Sequence, residues 1–261
     1  NQVAALAEIQ LNYEDGTKEI IEKEETGQVE YGSSRSSERY LGEVQDTTFQ
    51  RTFAGTARIT EYPRENMVAQ ESEPVRITKR FPAVSYIETP KGEKVLDFGQ
   101  NLSGFVSFKV KGEKGQQITI KHAETLDKDG NFYPDTLRQA TSHDVYVLNG
   151  ELQTLCPHFT FHGFRYIAIE GLDNIVKEDF VACVMHTDMQ QTGTFACSHA
   201  GINQLQSNIE WGQRGNFLDI PTDCPQRDER LGWTGDAQIF SNTAMFNFQS
   251  QRFFQKWLRD L

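Results

Sequence analysis

The sequence predicts a mostly β protein, antiparallel β-sandwich domains followed by the beginning of a helical domain. Three observations carry that prediction: apolar and polar residues alternate through most of the chain up to about residue 190, glycine-containing turns separate the alternating runs, and after about Thr192 the apolar period lengthens to that of a helix. Alternation buries one face of a strand and wets the other, which is the habit of an antiparallel sandwich.

The elements follow in chain order. Ile9, Leu11 and Tyr13 alternate with Gln10, Asn12 and Glu14 before Asp15-Gly16, a pair that favours positive φ and closes a hairpin. Residues 14–51, rich in Glu, Gly, Ser and Thr, are expected to be irregular and solvated, with no function of their own. A polar stretch from Asn66 to Pro74 marks a seam, so residues 1–74 read as an N-terminal β unit and residues 75–191 as a second β-sandwich domain. Within the second, Val106, Phe108 and Val110 interleave with Phe105, Ser107 and Lys109; Ile118 and Ile120 straddle Thr119; Val145 and Val147 straddle Tyr146. Turns fall at Lys111-Gly112, Lys114-Gly115, Asp129-Gly130 and Asn149-Gly150.

Residues 192–261 read as the N-terminal part of the helical domain. Ser198 is the expected N-cap of a helix over 199–212, and Thr234 that of a second over 235–246. In the third, Phe253, Phe254, Trp257, Leu258 and Leu261 form one stripe, with Arg252, Gln255, Lys256 and Arg259 opposite. Three helices close neither a barrel nor a bundle of any size, so the domain is expected to be cut short. Its apolar faces are then either partly disordered or paired with another copy in a homodimer.

Composition excludes several classes. Lys plus Arg number 26 against 37 Asp plus Glu, a net charge of −11 that sets the chain against phosphate backbones and anionic lipid, so neither nucleic acid nor a membrane is an expected partner. Mean hydropathy is −0.58, and no long uncharged apolar run is present. Cys156, Cys183, Cys197 and Cys224 are far apart and without CxxC spacing; they read as small buried hydrophobes or chance thiols rather than a zinc module. His158 and His162 read as structural histidines, since strand-like phenylalanines surround them and no third ligand is near. Asp127, Asp129, Asn131 and Asp135 around Gly130 read as a hairpin turn, because the bidentate Glu of a calcium loop is missing. The start has no signal-peptide pattern, which favours the cytoplasm over periplasm or secretion; the absent initiator Met and the end in mid-pattern suggest a processed or truncated piece.

Between the first two helices lie the eighteen residues 216–233, with two prolines, and connections of that length are disproportionately functional. This loop and the helix start behind it hold Asp219, Asp223, Asp228, Glu229 and Asp236 with Arg227, Arg230 and Trp233. In an arbitrary protein such a cluster is a solvated ion-pair patch. Here Pro221 and Pro225 stiffen the segment, Trp233 offers a wall on which a sugar ring can stack, and Asp236 stands where a helix dipole keeps it ionised. A carboxyl held against such a wall among other carboxylates tends to keep its proton, the state a departing glycosidic oxygen needs.

The run Asp223-Cys224-Pro225-Gln226-Arg227-Asp228-Glu229-Arg230-Leu231-Gly232-Trp233-Thr234-Gly235-Asp236-Ala237-Gln238 resembles the signature of bacterial α-L-rhamnosidases of glycoside hydrolase family 78. Asp97-Phe98-Gly99-Gln100-Asn101, His122-Ala123-Glu124, Phe159 to Tyr166 and Gln213 to Phe217 resemble that family's upstream motifs in the same order. The resemblance implies β-sandwich domains ahead of a truncated (α/α)6 barrel. It implies an inverting exo-glycosidase acting on terminal α-L-rhamnosyl groups of a glycoside or polysaccharide, with no metal or organic cofactor. By position, Glu229 resembles the general acid, Asp223 and Asp236 the carboxylates that hold the sugar hydroxyls, and Trp233 a wall of the pocket, with Arg227 and Asp228 in support. The general base is expected beyond residue 261, leaving this piece inactive alone. The alternatives are a non-catalytic carbohydrate-binding sandwich and an (α/α)6 glycosidase of other sugar specificity.

Overall fold

The computed structural model describes residues 5–22, 27–60, 65 and 67–261; Asn66, at the start of the expected seam, and residues 1–4 lie outside the described residues. The chain divides into two compact units, one made of residues 1–33 and 49–69, the other of residues 34–48 and 70–261.

In the smaller unit Glu8–Asn12 pairs antiparallel with Lys18–Glu22 across the expected Asp15-Gly16 turn. Gly16 takes φ 86°, and the Asp15 carboxylate accepts from both the amide and the hydroxyl of Thr17. Gln28–Tyr31 pairs with Thr52–Thr56. Ile9, Ile20, Val29, Tyr31 and Phe53 of this unit are exposed.

The larger unit is built on a ten-stranded sheet whose main order is Ser34–Glu38, Gly42–Asp46, His143–Val147, Gln117–Ala123, His162–Glu170, Lys94–Val110, Phe180–Thr187 and Val75–Pro82. Neighbours are antiparallel except Gly42–Asp46, which runs parallel to His143–Val147. This corrects one expectation. Among the described residues, 14–51 hold four strands rather than an irregular solvated stretch, and of these Ser34–Glu38 and Gly42–Asp46 join the large sheet. Polar composition misleads here because the polar groups are satisfied internally: Glu43 and Gln45 are buried, and the Glu43 carboxylate accepts from the amides of His158 and Phe159.

Lys94–Val110, long enough to pair with four other strands, spans the core. Val106, Phe108 and Val110 are buried while Lys109 is exposed, as alternation requires; Phe108 stacks on Phe180 at 5.3 Å and meets Tyr146 edge-on at 5.1 Å. In His143–Val147 the inward face is Asp144 and Tyr146, with Val145 and Val147 half-buried. At Gly104 a β-carbon would stand 1.9 Å from the Cys183 carbonyl oxygen, so the strands close there only around glycine.

The mostly β region is followed, as expected, by three helices: α1 (Ala200–Asn216), α2 (Thr234–Asn247) and α3 (Gln251–Asp260). The cap of α1 is His199 rather than Ser198, its Nδ1 accepting from the Ile202 amide; α2 starts at Thr234 itself, with Trp233 in the cap position. Phe253 and Trp257 of α3 are buried, with Phe253 stacked on Phe217 at 4.5 Å, while Leu258 stays exposed. Ile202 and Leu205 of α1 and Ile239 and Phe246 of α2 are exposed too. Among the described residues no helix is long and apolar enough to cross a membrane.

Candidate active site

The loop after α1 is fixed at both ends. Phe217–Leu218 and Ile220–Pro221 form a tight hairpin around Asp219, whose φ is 67°; the Asp219 amide donates to the Thr187 hydroxyl, and Lys256 of α3 pairs with its carboxylate at 2.8 Å. At the other end Gly232 lies so close to Trp257 that a β-carbon would meet the indole nitrogen at 2.8 Å. In between, Pro225 rests on the sheet: a β-carbon at Gly163 would stand 2.8 Å from the Pro225 carbonyl carbon. Glycine in the strand His162–Glu170 thus seats the loop.

Arg230 is the anchor of the segment. It is wholly buried, and its guanidinium donates to the carbonyls of Gln226 and Arg227 within the loop and to those of Arg39 and Phe161 from the β region. The rings of Tyr40 and Phe161 lie 5.6 and 5.4 Å from its charged carbon. Burial, with the charge of Arg39, pulls its pKa down to about 10, so it remains a cation at neutral pH.

Around this anchor the acidic residues separate into two overlapping groups. Carboxylate oxygens of Asp223 and Glu229 and the Cys224 sulfur lie within 4.8 Å of one another. Glu229 Oε2 is paired with Arg227 Nε at 2.5 Å and with Arg138 Nη1 at 3.2 Å; its side chain is 30% exposed, neither sealed nor splayed into water. Asp223 and Asp236 line a cleft of about 730 Å³, together with Gln213, Asn216, Thr222 and the apolar Ile209, Phe217, Pro221, Ile239 and Phe240. Glu229 sits beside that cleft, reached through Asp223. Trp233 is half-exposed at the start of α2 and is not among the cleft's walls; one oxygen of Asp228 is shielded without a hydrogen-bond partner among the described residues. The expected surroundings of Glu229 therefore change: its neighbours are two guanidiniums and Asp223, where an aromatic wall was expected.

Three consecutive family models match the chain: the α-L-rhamnosidase N-terminal domain at residues 1–79, the bacterial α-L-rhamnosidase concanavalin-like domain at 87–186, and the bacterial α-L-rhamnosidase 6 hairpin glycosidase domain at 190–261. An α-L-rhamnosidase of Streptomyces avermitilis is 40% identical over 99% of this chain and 26% of its own length. The crystal structure of the Aspergillus terreus enzyme superposes with a TM-score of 0.92 at 39% identity, over 98% of this chain and 31% of that one. A Streptomyces avermitilis α-L-rhamnosidase solved in complex with L-rhamnose gives 0.92 at 40%, over 98% and 26%. The chain belongs to the bacterial α-L-rhamnosidase family. It spans about a quarter to a third of the length of these family members.

Several rhamnosidase-like motifs upstream serve the fold. Asp97 forms a two-pronged pair with Arg165 at 2.8 Å; burial pushes its carboxyl up, but Arg165 and the Gly99 amide outweigh that and hold it low. His122 and His162 stack at 4.0 Å beside Asp144, all three buried. His122 Nδ1 bonds to the Ser142 carbonyl at 2.8 Å and His162 Nε2 to Asp144 Oδ1 at 3.1 Å, which ties the trio together as a core polar network. Burial and the neighbouring His162 lower the pKa of His122 to about 3, so its 3.9 Å approach to Asp144 is not an ion pair at neutral pH. The turn at Asp127 is the expected hairpin, its carboxylate accepting from the amides of Asp129 and Asn131. Of the four cysteines, Cys183 and Cys224 are buried, Cys156 is half-buried, and Cys197 is exposed near the start of α1. Residues invisible to sequence reasoning are Arg138 and Tyr40, which come to Glu229 from remote segments with no local signal; Arg230 stood inside the motif, unassigned.

Proposed function

We propose that the protein carrying this chain hydrolyses terminal α-L-rhamnosyl groups of a glycoside or polysaccharide with inversion, and that Glu229 is its general acid. The observation that carries the reading is the pair Asp223 and Glu229: one carboxylate faces the cleft and the other waits beside it, within 4.8 Å. The cleft walls suit a deoxy-sugar. Carboxylates of Asp223 and Asp236 accept from ring hydroxyls, and the apolar side chains receive the methyl group and C–H faces that a 6-deoxy sugar presents. The related enzyme solved with L-rhamnose supports the choice of sugar.

In the proposed reaction Glu229 protonates the glycosidic oxygen, and Asp223 and Asp236 steady the oxocarbenium-like transition state. Arg227 and the more exposed Arg138 hold the Glu229 carboxylate in place beside the cleft. Asp228 supports the loop, and Trp233, which lies outside the cleft's walls, is given no direct contact with the sugar. An inverting pair stands about 6.5–9.5 Å apart to admit a water, and Asp223 is too near Glu229 for that. Asp223 is therefore not the base, and the family resemblance assigns that role to a carboxylate beyond residue 261.

The test is the full-length protein on an aryl α-L-rhamnoside, with the first anomer formed read by NMR. Inverted product, with turnover reduced by roughly 10²–10⁴-fold in Glu229→Gln, is the expected result. Retained product would give Asp223 the role of nucleophile. Residues 1–261 alone are expected to show no turnover; activity there would remove the need for an outside base.

A further inference from the structure

We infer that Tyr40, on the turn between Ser34–Glu38 and Gly42–Asp46, is a positioning residue for the acid: its hydroxyl fixes the main chain of Glu229 from the β region. This rests on the reading of Glu229 as general acid.

The Tyr40 hydroxyl donates to the Glu229 carbonyl at 2.6 Å and accepts from Arg39 Nη2 at 2.8 Å. A hydroxyl that accepts from a cation is a stronger donor, so the bond to Glu229 is reinforced from behind. The turn bearing Tyr40 is itself pinned, because the Glu38 carboxylate accepts from the amides of Tyr40 and Leu41. The carbonyl of the adjoining Arg39 accepts from Arg230, the residue after Glu229. Arg230 sits in the left-handed region with φ 52°, a conformation a non-glycine residue keeps only where its surroundings hold it. Two consecutive loop residues are therefore tied to two consecutive turn residues, one through a side-chain hydroxyl and the other through a guanidinium. Arg138, also from the β region, reaches the carboxylate end of the same side chain. Proton transfer to a bridging oxygen tolerates little displacement of the donor, and a main chain held at this point sets where the carboxyl can reach.

Tyr40→Phe removes one oxygen and keeps the ring. A positioning role for the acid has a signature that a merely structural role lacks. Aglycones that leave poorly need the proton, whereas a dinitrophenolate leaves without it. In the full-length protein, kcat for the phenyl α-L-rhamnoside is expected to fall about tenfold, the size of one hydrogen bond, with KM and the dinitrophenyl rate within about twofold of the parent. Equal losses on both substrates, or no loss on either, overturn the inference. Glu229→Gln run beside it separates the two ideas. If that variant shows the leaving-group dependence and Tyr40→Phe does not, the acid assignment stands and the role of Tyr40 falls. If Glu229→Gln lacks the dependence, the acid assignment falls first and the inference with it. In the full-length protein, amide exchange over 226–231 is expected to quicken at least severalfold in Tyr40→Phe, and unchanged exchange also overturns it.

Discussion

Arg230 brings a positive charge into the interior, and its four hydrogen-bond partners are main-chain carbonyls. Arg230→Met fills much of the volume but strands those carbonyls, at about 1–3 kcal/mol for an unsatisfied buried group, so a loss of about 3 kcal/mol or more is expected from urea unfolding. Arg230→Lys should recover little, because an ammonium lacks the planar fork that spans loop and turn. A second residue-level expectation concerns acid. The folded-state pKa of His122, about 3, lies below the 6.5 of an unconstrained histidine, so the unfolded chain takes up that proton first. The stability tied to His122 is whole above about pH 6.5 and is lost as pH falls toward 3, by up to about 1.4 kcal/mol per unit. His122→Phe should flatten that slope in unfolding experiments across the same window; an unchanged slope would assign the acid sensitivity elsewhere. Residue identity in the loop was legible as chemistry, since carboxylates, prolines and arginines crowd one connection. Their partners were not, because Arg138 and Tyr40 reach Glu229 only after distant segments meet.

Among the elements, α3 bears the clearest consequence. Its stripe was visible as apolar spacing, yet only Phe253 and Trp257 are buried while Leu258 faces water. Phe253→Ala should cost about 3–5 kcal/mol and Leu258→Ala no more than about 0.5 kcal/mol, a difference thermal unfolding resolves. Gly163 makes a different prediction. Gly163→Ala should leave the far-ultraviolet dichroism unchanged while displacing the loop at Pro225, so rhamnoside turnover in the full-length protein drops without matching loss of structure. Hairpins and helices were readable because turn dipeptides and periodicity are local. The cap of α1 shifted by one residue because His199, with Nδ1 facing the Ile202 amide, competes with Ser198 for the same role.

At the scale of the whole molecule, the exchange of Ser34–Thr48 into the large unit is the feature that composition hid. The amides of Glu43 and Thr47 bond to the Asp144 carboxylate and the Val147 carbonyl, and should exchange with the slow core. Glu8–Asn12, a strand with no buried residue, should exchange faster; equal protection would contradict the division. What the sequence by itself determined is the class and order of the elements and the loop in which acidic residues, arginines and prolines gather, since alternation, helical period and turn residues act over a few positions. Tertiary structure alone decided which polar strands go inside, which carboxylates share a cleft, and which arginines and tyrosine meet Glu229. Those outcomes depend on contacts between segments far apart in the chain, where burial and hydrogen-bond satisfaction are settled by the whole and not by neighbours in sequence.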